Sequence, residues 1–527
     1  MSPTLLQRAT PTTADARLPR LRAAVGRVLG AGDRLHDRVL GDAGNPFYHS
    51  GAIVVLAFLL MLATGVYLLL FYRIGAPYES VTRLQQQALA GRWLRALHRY
   101  AADVAVVAAV VHALRMWVQD RSWGPRAQAW LSGLLLLFLL FASGWTGYVM
   151  VWDAQALLLA SEGARLLDAL PIFGEPLSRA FVGERPLPGP FFFLNLFAHI
   201  AIPIGMAGLM LLHVARLARP QLLPPRSLCA GLCAALVTLS LAWPAPLTPR
   251  ADPFVRIERA PLDLFYAFWL PATRSLDRYA VWAGFAGLAL ALVSLPWWSR
   301  PRAQRRREPS FVDPHLCTGC EQCALDCPFD AIEMRAVEGR ATPAAHVDPA
   351  RCVSCGICAG SCAPMAVGPP DRTGRDQLAA ARAYLHERAD ARDDVIVVAC
   401  THSLSARGLP GATVYPVTCA GSLHSSVVEL FVRSGIPGVL VLSCPPRDCR
   451  NREGPRWLEA RLYAGREAEL QERVDRRRVR VVSARDAALV REALERFRAD
   501  LAEHGRARAE SDVELALECE RAAEGGT

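Results

Sequence analysis

The chain has 527 residues, with 59 basic and 49 acidic side chains, 52% apolar composition and 15 cysteines. That length predicts more than one domain, and a charged content of 20%, below the roughly 25% of soluble domains, means that part of the chain avoids water. The net charge of +10 is unevenly shared: residues 1–308 carry +14 and residues 309–527 carry −4, so the basic excess travels with the apolar half and argues for a membrane rather than for nucleic acid. Only two of the fifteen cysteines precede residue 309. A disulfide framework would need a secreted context, and the Arg-rich N-terminus carries no apolar core of a secretory signal.

Residues 1–48 read as a basic cytoplasmic segment. Six apolar stretches follow, near 50–72, 98–118, 130–151, 191–215, 227–247 and 279–298, each close to the ~20 residues that cross a bilayer. A shorter piece, Leu262–Leu270, suits the membrane interface. Arginine crowds the short loops after the second and fourth stretches (Arg115, Arg121, Arg126; Arg216, Arg219, Arg226) and the segment after the last. Positive charge marks the cytoplasmic side, so both termini and everything beyond residue 298 are expected in the cytoplasm of a bacterium, the bundle lying in its inner membrane. The expected organisation is a multi-pass all-α bundle of about six spans over 49–298, an Arg-rich linker over 299–310, a small α+β domain over 311–370, an α/β parallel-sheet domain over 393–500 and a polar tail over 501–527. In the last domain, strands Val395–Ala399, Val414–Val417, Val439–Leu442 and Val479–Val482 alternate with helices Ser425–Ser434 and Ala487–Glu503.

The second and fourth stretches each hold two histidines 14 residues apart, His98 and His112, then His199 and His213. Fourteen residues is nearly four turns, so both members of a pair share a helix face about 21 Å apart. Ionisable residues within spans are costly and by default functional. Pairing His98 with His199 near the outer face and His112 with His213 near the inner face gives two bis-imidazole haem sites. Gly51 and Gly65 in the first stretch, and Gly133 and Gly147 in the third, repeat the 14-residue period on the two helices without ligands, where a missing Cβ admits a macrocycle. Arg95, Arg99, Arg115 and Arg216 flank the histidines as partners for haem propionates, or as side chains snorkelling to the interface.

Trp93-Leu94-Arg95-Ala96-Leu97-His98, the paired histidines, the four glycines and Gly147-Tyr148-Val149-Met150-Val151-Trp152 together resemble the N-terminal four-helix part of a quinol-oxidising cytochrome b, over about residues 45–220. The resemblance implies two haem b groups at the four histidines and quinone or quinol as substrate at the membrane faces. Pro261 to Phe265 falls where that family carries Pro-Glu-Trp-Tyr at its outer quinone site. The glutamate is absent, and Asp263, one position later, is the candidate proton acceptor, with Asp103 and Asp153 as further candidates.

Cys317-x-x-Cys320-x-x-Cys323-x-x-x-Cys327-Pro328 recurs as Cys352, Cys355, Cys358 and Cys362. In this spacing the fourth cysteine of each run ligates the other 4Fe–4S cluster, which assigns Cys317, Cys320, Cys323 and Cys362 to one and Cys352, Cys355, Cys358 and Cys327 to the second. Residues 311–370 resemble two-cluster bacterial ferredoxins. Beyond them, Cys400, Cys419 and Cys444 each follow an expected strand, and Cys449 comes five residues later. Ligands gather at the carboxyl ends of parallel strands, and four thiolates there suit zinc or a 2Fe–2S cluster. Val397-Val398-Ala399-Cys400, Val417-Thr418-Cys419-Ala420-Gly421 and Cys444-Pro-Pro-Arg-Asp-Cys449 resemble the delta subunit of methyl-viologen-reducing hydrogenase, which implies a 2Fe–2S cluster and a flavin-containing partner. Ser403 stands where that family often has another cysteine. Cys229, Cys233 and Cys519 read as packing or tail residues.

The expected function is membrane electron transfer between a soluble cytoplasmic flavoprotein, dehydrogenase or hydrogenase-type partner and the quinone pool, with room for a homodimer and none for nucleic acid. Two other readings stay open. One is a non-catalytic conduit subunit of a hydrogenase, formate dehydrogenase or heterodisulfide-reductase-like complex. The other is a membrane redox sensor or scaffold whose C-terminal domain binds zinc.

Overall fold

The computed structural model describes residues 19–172, 174–181, 189–255, 263, 265–299, 308–388, 393–403, 409 and 412–504. The chain folds as two compact units that adjoin in sequence near residue 300.

The first unit is helical. Helix α1 (Pro19–Gly44) is followed by α2 (Ser50–Phe71), α3 (Pro77–Gln86), α4 (Gly91–Val118), α5 (Ala127–Val151), α6 (Ala154–Leu167), α7 (Gly189–Val214), α8 (Arg226–Ala242), α9 (Leu270–Ser275) and α10 (Arg278–Trp298). Five of these, α2, α4, α5 with its leading turn, α7 and α10, are 21–28 residues long and apolar enough to cross a membrane. They bury little of their surface inside the protein; Val66, Leu70, Phe138, Phe197, Ile204 and Leu211 all face outward. Lipid accepts such faces, and only helices or closed barrels satisfy their backbone there. The stretch expected over 227–247 makes a shorter helix: α8 has 17 residues and ends at Ala242, with Trp243 at ψ 78°. Pro244 is the cause, because a residue preceding proline is pushed out of the helical region.

Four of these helices, α1, α3, α6 and α9, lie outside the expected spans. The segment read as a basic arm folds as α1, whose Arg22 pairs with Asp120 and sits over the Trp117 ring. Helix α3 buries Val81 and Leu84, and α6 buries Leu157, Leu158 and Leu159. Asp153 caps α6, accepting from Ala156 N at 3.0 Å and Thr248 N at 3.1 Å, so this carboxylate has a structural task. Within Leu262–Leu270, Asp263 and residues 265–269 form turns leading into α9. Helices α2, α4, α5 and α7 enclose a core of Ala57, Ala105, Val106, Leu136, Leu140 and Met206, closed by Tyr266. Gly144 gives Tyr266 its place, since a Cβ there would overlap the ring.

The second unit begins with two antiparallel ribbons, β1 (Phe311–Val312) with β4 (Val367–Gly368) and β2 (Ile332–Arg335) with β3 (Ala344–Val347). Two four-residue helices, α11 (Gln322–Leu325) and α12 (Ile357–Gly360), carry the middle of each cysteine run. Helix α13 (Gly374–Glu387) is capped by Thr373 and Asp376 in a reciprocal box. The rest is a four-stranded parallel sheet of order β6 (Thr413–Val417), β5 (Ile396–Cys400), β7 (Val439–Ser443), β8 (Val479–Ser483). Helices α14 (Ser425–Arg433), α15 (Gly454–Tyr463) and α16 (487–504) accompany the sheet. Every residue of β5 and β7 is buried, as strands covered on both faces must be. Helix α16 continues through residue 504. Cys519 and Arg302–Arg307 lie outside the described residues.

Candidate redox centres

Helix α2 packs along α4, and α5 along α7. The imidazoles of His98 on α4 and His199 on α7 face each other with ring centroids 6.3 Å apart and planes tilted by 56°. Nitrogens bound on opposite sides of one metal ion at about 2 Å put ring centres roughly 6 Å apart. His112 and His213 form the second pair, within electrostatic reach of each other.

Each histidine rests in a notch opposite a glycine of the helix packed on its own. A Cβ at Gly51 would lie 2.9 Å from His112 Cε1, at Gly65 3.3 Å from His98 Cε1, at Gly133 3.1 Å from His213 Cε1 and at Gly147 2.9 Å from His199 Cε1. Room for a macrocycle is the expectation for these glycines; the contact they make is with the imidazole itself.

Hydroxyl residues that immediately precede the glycines orient the rings. Thr64 Oγ1 is 2.9 Å from His98 Nδ1, Ser132 Oγ is 2.9 Å from His213 Nδ1, and Thr146 Oγ1 is 3.1 Å from His199 Nδ1. Each hydroxyl gives its own proton to a carbonyl of its helix, at Leu60, Gln128 and Ser143 respectively. Nδ1 is therefore the donor, and the Nε2 lone pair is left for a metal, the arrangement that raises ligand basicity and fixes the tautomer. Buried Ser50 stands in the same place before Gly51. The donor set, the ring separation and the glycine notches fit haem iron held between paired imidazoles.

Three of the four flanking arginines, Arg95, Arg99 and Arg115, find protein partners. Arg115 is buried and makes a two-pronged pair with Asp33 of α1 at 2.8 and 3.2 Å, its guanidinium over Tyr48. Arg95 bonds Gln85 Oε1 at 3.0 Å and the Ala245 and Pro246 carbonyls. Arg99 pairs with Asp103 and Tyr148 and reaches Asp263 Oδ2 at 2.7 Å. Arg216 is exposed in the turn after α7.

Asp263 is buried and fully engaged. Its Oδ2 accepts from Arg99 and from the Tyr148 hydroxyl, and its Oδ1 from Phe265 N at 2.8 Å and Tyr266 N at 2.9 Å. Burial alone would raise its pKa, but the bonds from Tyr148 and Tyr266 and the Arg99 charge hold the carboxyl below its ordinary value. A carboxylate held in this way accepts a proton only by giving up those bonds.

In the second unit, Cys317, Cys320, Cys323 and Cys362 line one pocket together with Val312, Met334 and Val367. The other four, Cys327, Cys352, Cys355 and Cys358, lie within one another's electrostatic reach. These are the two quartets expected from the crossed ligand pattern. Backbone amides aim at the sulfurs: Ala331 N at Cys327 (3.4 Å), Ala366 N at Cys362 (3.2 Å), Ser310 N and Ser354 N at Cys352 (both 3.4 Å). Burial pushes the Cys323 thiol up to about 12, and pushes Cys355 and Cys358 up as well. Four sulfurs gathered in each quartet, with backbone amides aimed at them, are a donor set that fits a cluster.

Cys400 ends β5, Cys444 follows β7, and their sulfurs are 3.9 Å apart at the carboxyl edge of the sheet. Cys419 and Cys449 converge on the same place, since a Cβ at Gly454 would lie 3.1 Å and 3.2 Å from their sulfurs. A hydrogen bond from Cys449 holds Cys419 down to about 7 against burial, and bonds from Cys400 and Cys449 hold Cys444 well below the ordinary thiol value. Hydrogen bonding within the same set raises Cys400 and Cys449, so the four buried sulfurs form one connected donor set, which suits a cluster. Ser403 turns away to Ala484 O. Among the described residues, no group of three or more His, Cys, Asp or Glu side chains has the geometry of a single bound metal ion.

Comparison with known proteins follows the same divisions. Residues 36–220 match the family model of cytochrome b/b6/petB, 316–366 that of the 4Fe–4S dicluster domain, and 393–505 that of the delta subunit of methyl-viologen-reducing hydrogenase. The menaquinol:cytochrome c reductase cytochrome b subunit of Geobacillus thermodenitrificans is 28% identical over 200 residues, 36% of this chain and 89% of that protein. The subunit of the same name from Bacillus subtilis (strain 168) is 29% identical over 188 residues, 34% of this chain and 84% of that protein. A solved structure titled "Hyperthermophilic respiratory Complex III" aligns over 49% of this chain and 78% of its own, with TM-score 0.39 and 15% identity, too remote a likeness to carry an argument. The cytochrome b family implies haem b, and the dicluster family implies iron–sulfur.

Proposed function

We propose that this membrane electron-transfer protein relays electrons between a soluble cytoplasmic flavoprotein, dehydrogenase or hydrogenase-type partner and the quinone pool. The observation that carries the reading is the facing of His98 and His199 at 6.3 Å, each with Nδ1 tied to a threonine hydroxyl of a neighbouring helix. Two haem b groups would be held by His98 with His199 and by His112 with His213. Two 4Fe–4S clusters would be held by the ferredoxin-type quartets and a 2Fe–2S cluster by Cys400, Cys419, Cys444 and Cys449. Bound there, these groups supply one-electron chemistry; the protein supplies position, ligand identity and electrostatics. Electrons would pass between the partner and the four-cysteine site, then the two quartets, then the inner and the outer histidine pair. The bundle lies in a bacterial inner membrane with both termini and the cysteine sites in the cytoplasm.

A second reading makes the chain a conduit subunit without quinol chemistry at the outer face. Asp263 favours it, because the carboxylate that would take the proton is locked to Arg99 and Tyr148. Optical spectra with iron and sulfide analysis of the purified chain test the first reading. Two dithionite-reducible b haems per chain with about ten further, non-haem irons support it; absence of haem bands, or zinc at the four-cysteine site, refutes the corresponding part. Quinone reduction by the chain alone separates the two readings.

A further inference from the structure

Two thiol sites of the second unit meet beside one arginine. Gly356, next to Cys355, turns at φ +80°, and a Cβ there would lie 3.0 Å from Ser422 Cβ. Ser422 in turn donates its hydroxyl to Cys419 O at 2.8 Å. The loop of the Cys327, Cys352, Cys355, Cys358 quartet is thus in contact with the loop of the four-cysteine site. Only glycine fits at 356, because both the positive φ and the contact exclude a side chain.

Arg372 occupies the turn between β4 and α13. Its Nη2 donates to Ser354 Oγ at 2.8 Å and to Ser354 O at 3.2 Å, inside the same quartet's ligand loop. Gln377 ties the arginine to the other site, its amide donating to Ser422 O at 2.9 Å and Arg372 O at 3.3 Å. The guanidinium lies within electrostatic reach of Cys352, Cys355 and Cys358 on one loop and of Cys419 on the other. The Cys317 quartet has a different arginine, Arg340, on the carbonyls of Cys317 and Pro314. That quartet approaches the sheet-edge site through His424 Nε2 on Cys362 O at 3.2 Å, five residues along the chain from Cys419, and through Arg461, which donates to Ser361 Oγ beside Cys362 and to Gly421 O.

We propose that Arg372 is a positioning residue that couples the sheet-edge site electrostatically to the Cys327, Cys352, Cys355, Cys358 quartet, so that electrons pass directly between those two sites and reach the Cys317 quartet only afterwards. The inference rests on both sites holding iron–sulfur clusters as proposed above. In each transfer one electron leaves one site, which is oxidised, and enters the other, which is reduced. No bond forms or breaks and no proton moves. A reduced flavoprotein supplies the electron.

A fixed cation beside two sites favours the reduced, more negative state of both. Arg372→Gln in the full chain, titrated potentiometrically with electron paramagnetic resonance, should lower the potentials of the sheet-edge site and of one ferredoxin-type cluster. The expected change is about tenfold in the reduction equilibrium, which is about 59 mV for one electron. The second ferredoxin-type cluster and both haems should be unmoved, and Arg372→Lys should recover most of the shift. Unchanged potentials, or an equal shift of both ferredoxin-type clusters, would overturn the proposal. A second measurement stands if Arg372→Gln does not assemble. In the reduced chain the sheet-edge signal should show magnetic coupling that survives Cys320→Ser, which removes the other cluster; loss of that coupling would overturn the direct route. If the unaltered chain binds no iron or sulfide, it is the functional reading that fails.

Discussion

The hydroxyl oxygen of Thr64 on α2 lies 2.9 Å from Nδ1 of His98 on α4, while its proton goes to Leu60 O at 2.7 Å. This one contact sets which nitrogen of the imidazole is free. Replacing Thr64 by Val removes the acceptor and weakens the ligand's basicity, so the oxidised state of a metal held there is less favoured. The potential of the higher- or lower-lying haem assigned to this pair should rise, with haem content unchanged. Potentiometric titration of the α-band checks it, and Thr64→Ser should restore the original value.

Glycine opposite a ligand is a stricter demand. A Cβ at Gly147 would stand 2.9 Å from His199 Cε1, and the imidazole cannot retreat without losing Thr146 and Ser143. Gly147→Val should halve the haem content of the purified chain while leaving the second pair loaded. Pyridine-haemochrome quantification per chain measures this, and full haem content in the variant would contradict it.

Gly454 plays the same part at the sheet edge, where an added Cβ would lie 3.1 Å from Cys419 Sγ and 3.2 Å from Cys449 Sγ. Gly454→Ala is predicted to abolish the signal of that site and leave both 4Fe–4S signals, as read by electron paramagnetic resonance of the reduced protein.

Asp326 and Arg461 are each 1% exposed, and Arg466 completes the pair at 2.5 Å from Asp326. Arg461 also donates to Ser361 Oγ at 3.0 Å and Gly421 O at 2.7 Å, so it pins the ferredoxin-type region to the sheet domain. Asp326→Ala leaves a buried guanidinium without its anion, a loss of about 3–5 kcal/mol. Cluster absorbance should bleach at clearly lower temperature than in the unaltered chain.

Assembly of the ferredoxin-type clusters should depend on pH. Burial raises Cys323 to about 12 and raises Cys355 and Cys358 too, so these three are neutral thiols at pH 7 in the iron-free fold. Ligation requires thiolates and releases protons. Because these folded-state values lie above the ordinary thiol value, the iron-free fold keeps their contribution to stability below about pH 9 and loses it on approaching pH 12. Reconstitution with iron and sulfide should therefore be fuller at pH 9 than at pH 7, with proton release measurable in weak buffer.

The 14-residue periods of histidine and glycine and the doubled cysteine runs were legible because each repeats at a spacing that local helix or loop geometry dictates. The hydroxyls at Ser50, Thr64, Ser132 and Thr146 repeat at the same spacing, one residue before each glycine. They passed unnoticed because a hydroxyl inside a helix ordinarily bonds back to a carbonyl four residues earlier, as Thr64 also does. What sequence hid was pairing at a distance. Arg115 meets Asp33 across 82 residues and Arg99 meets Asp263 across 164, pairs that no local spacing announces. The helix α1 carrying Asp33 looked like a basic arm, since its stabilising contacts also come from distant residues. Pro244, by contrast, was a readable stop signal for α8.

The proposed relay requires one chain to hold two imidazole-bound haems and three iron–sulfur centres. A potentiometric titration of the purified full-length protein, followed together by optical spectroscopy and electron paramagnetic resonance, tests it most directly. Two b-type haem components, two 4Fe–4S signals and one 2Fe–2S signal are expected; a chain with no b-type component, or with zinc in place of the sheet-edge signal, is not this relay.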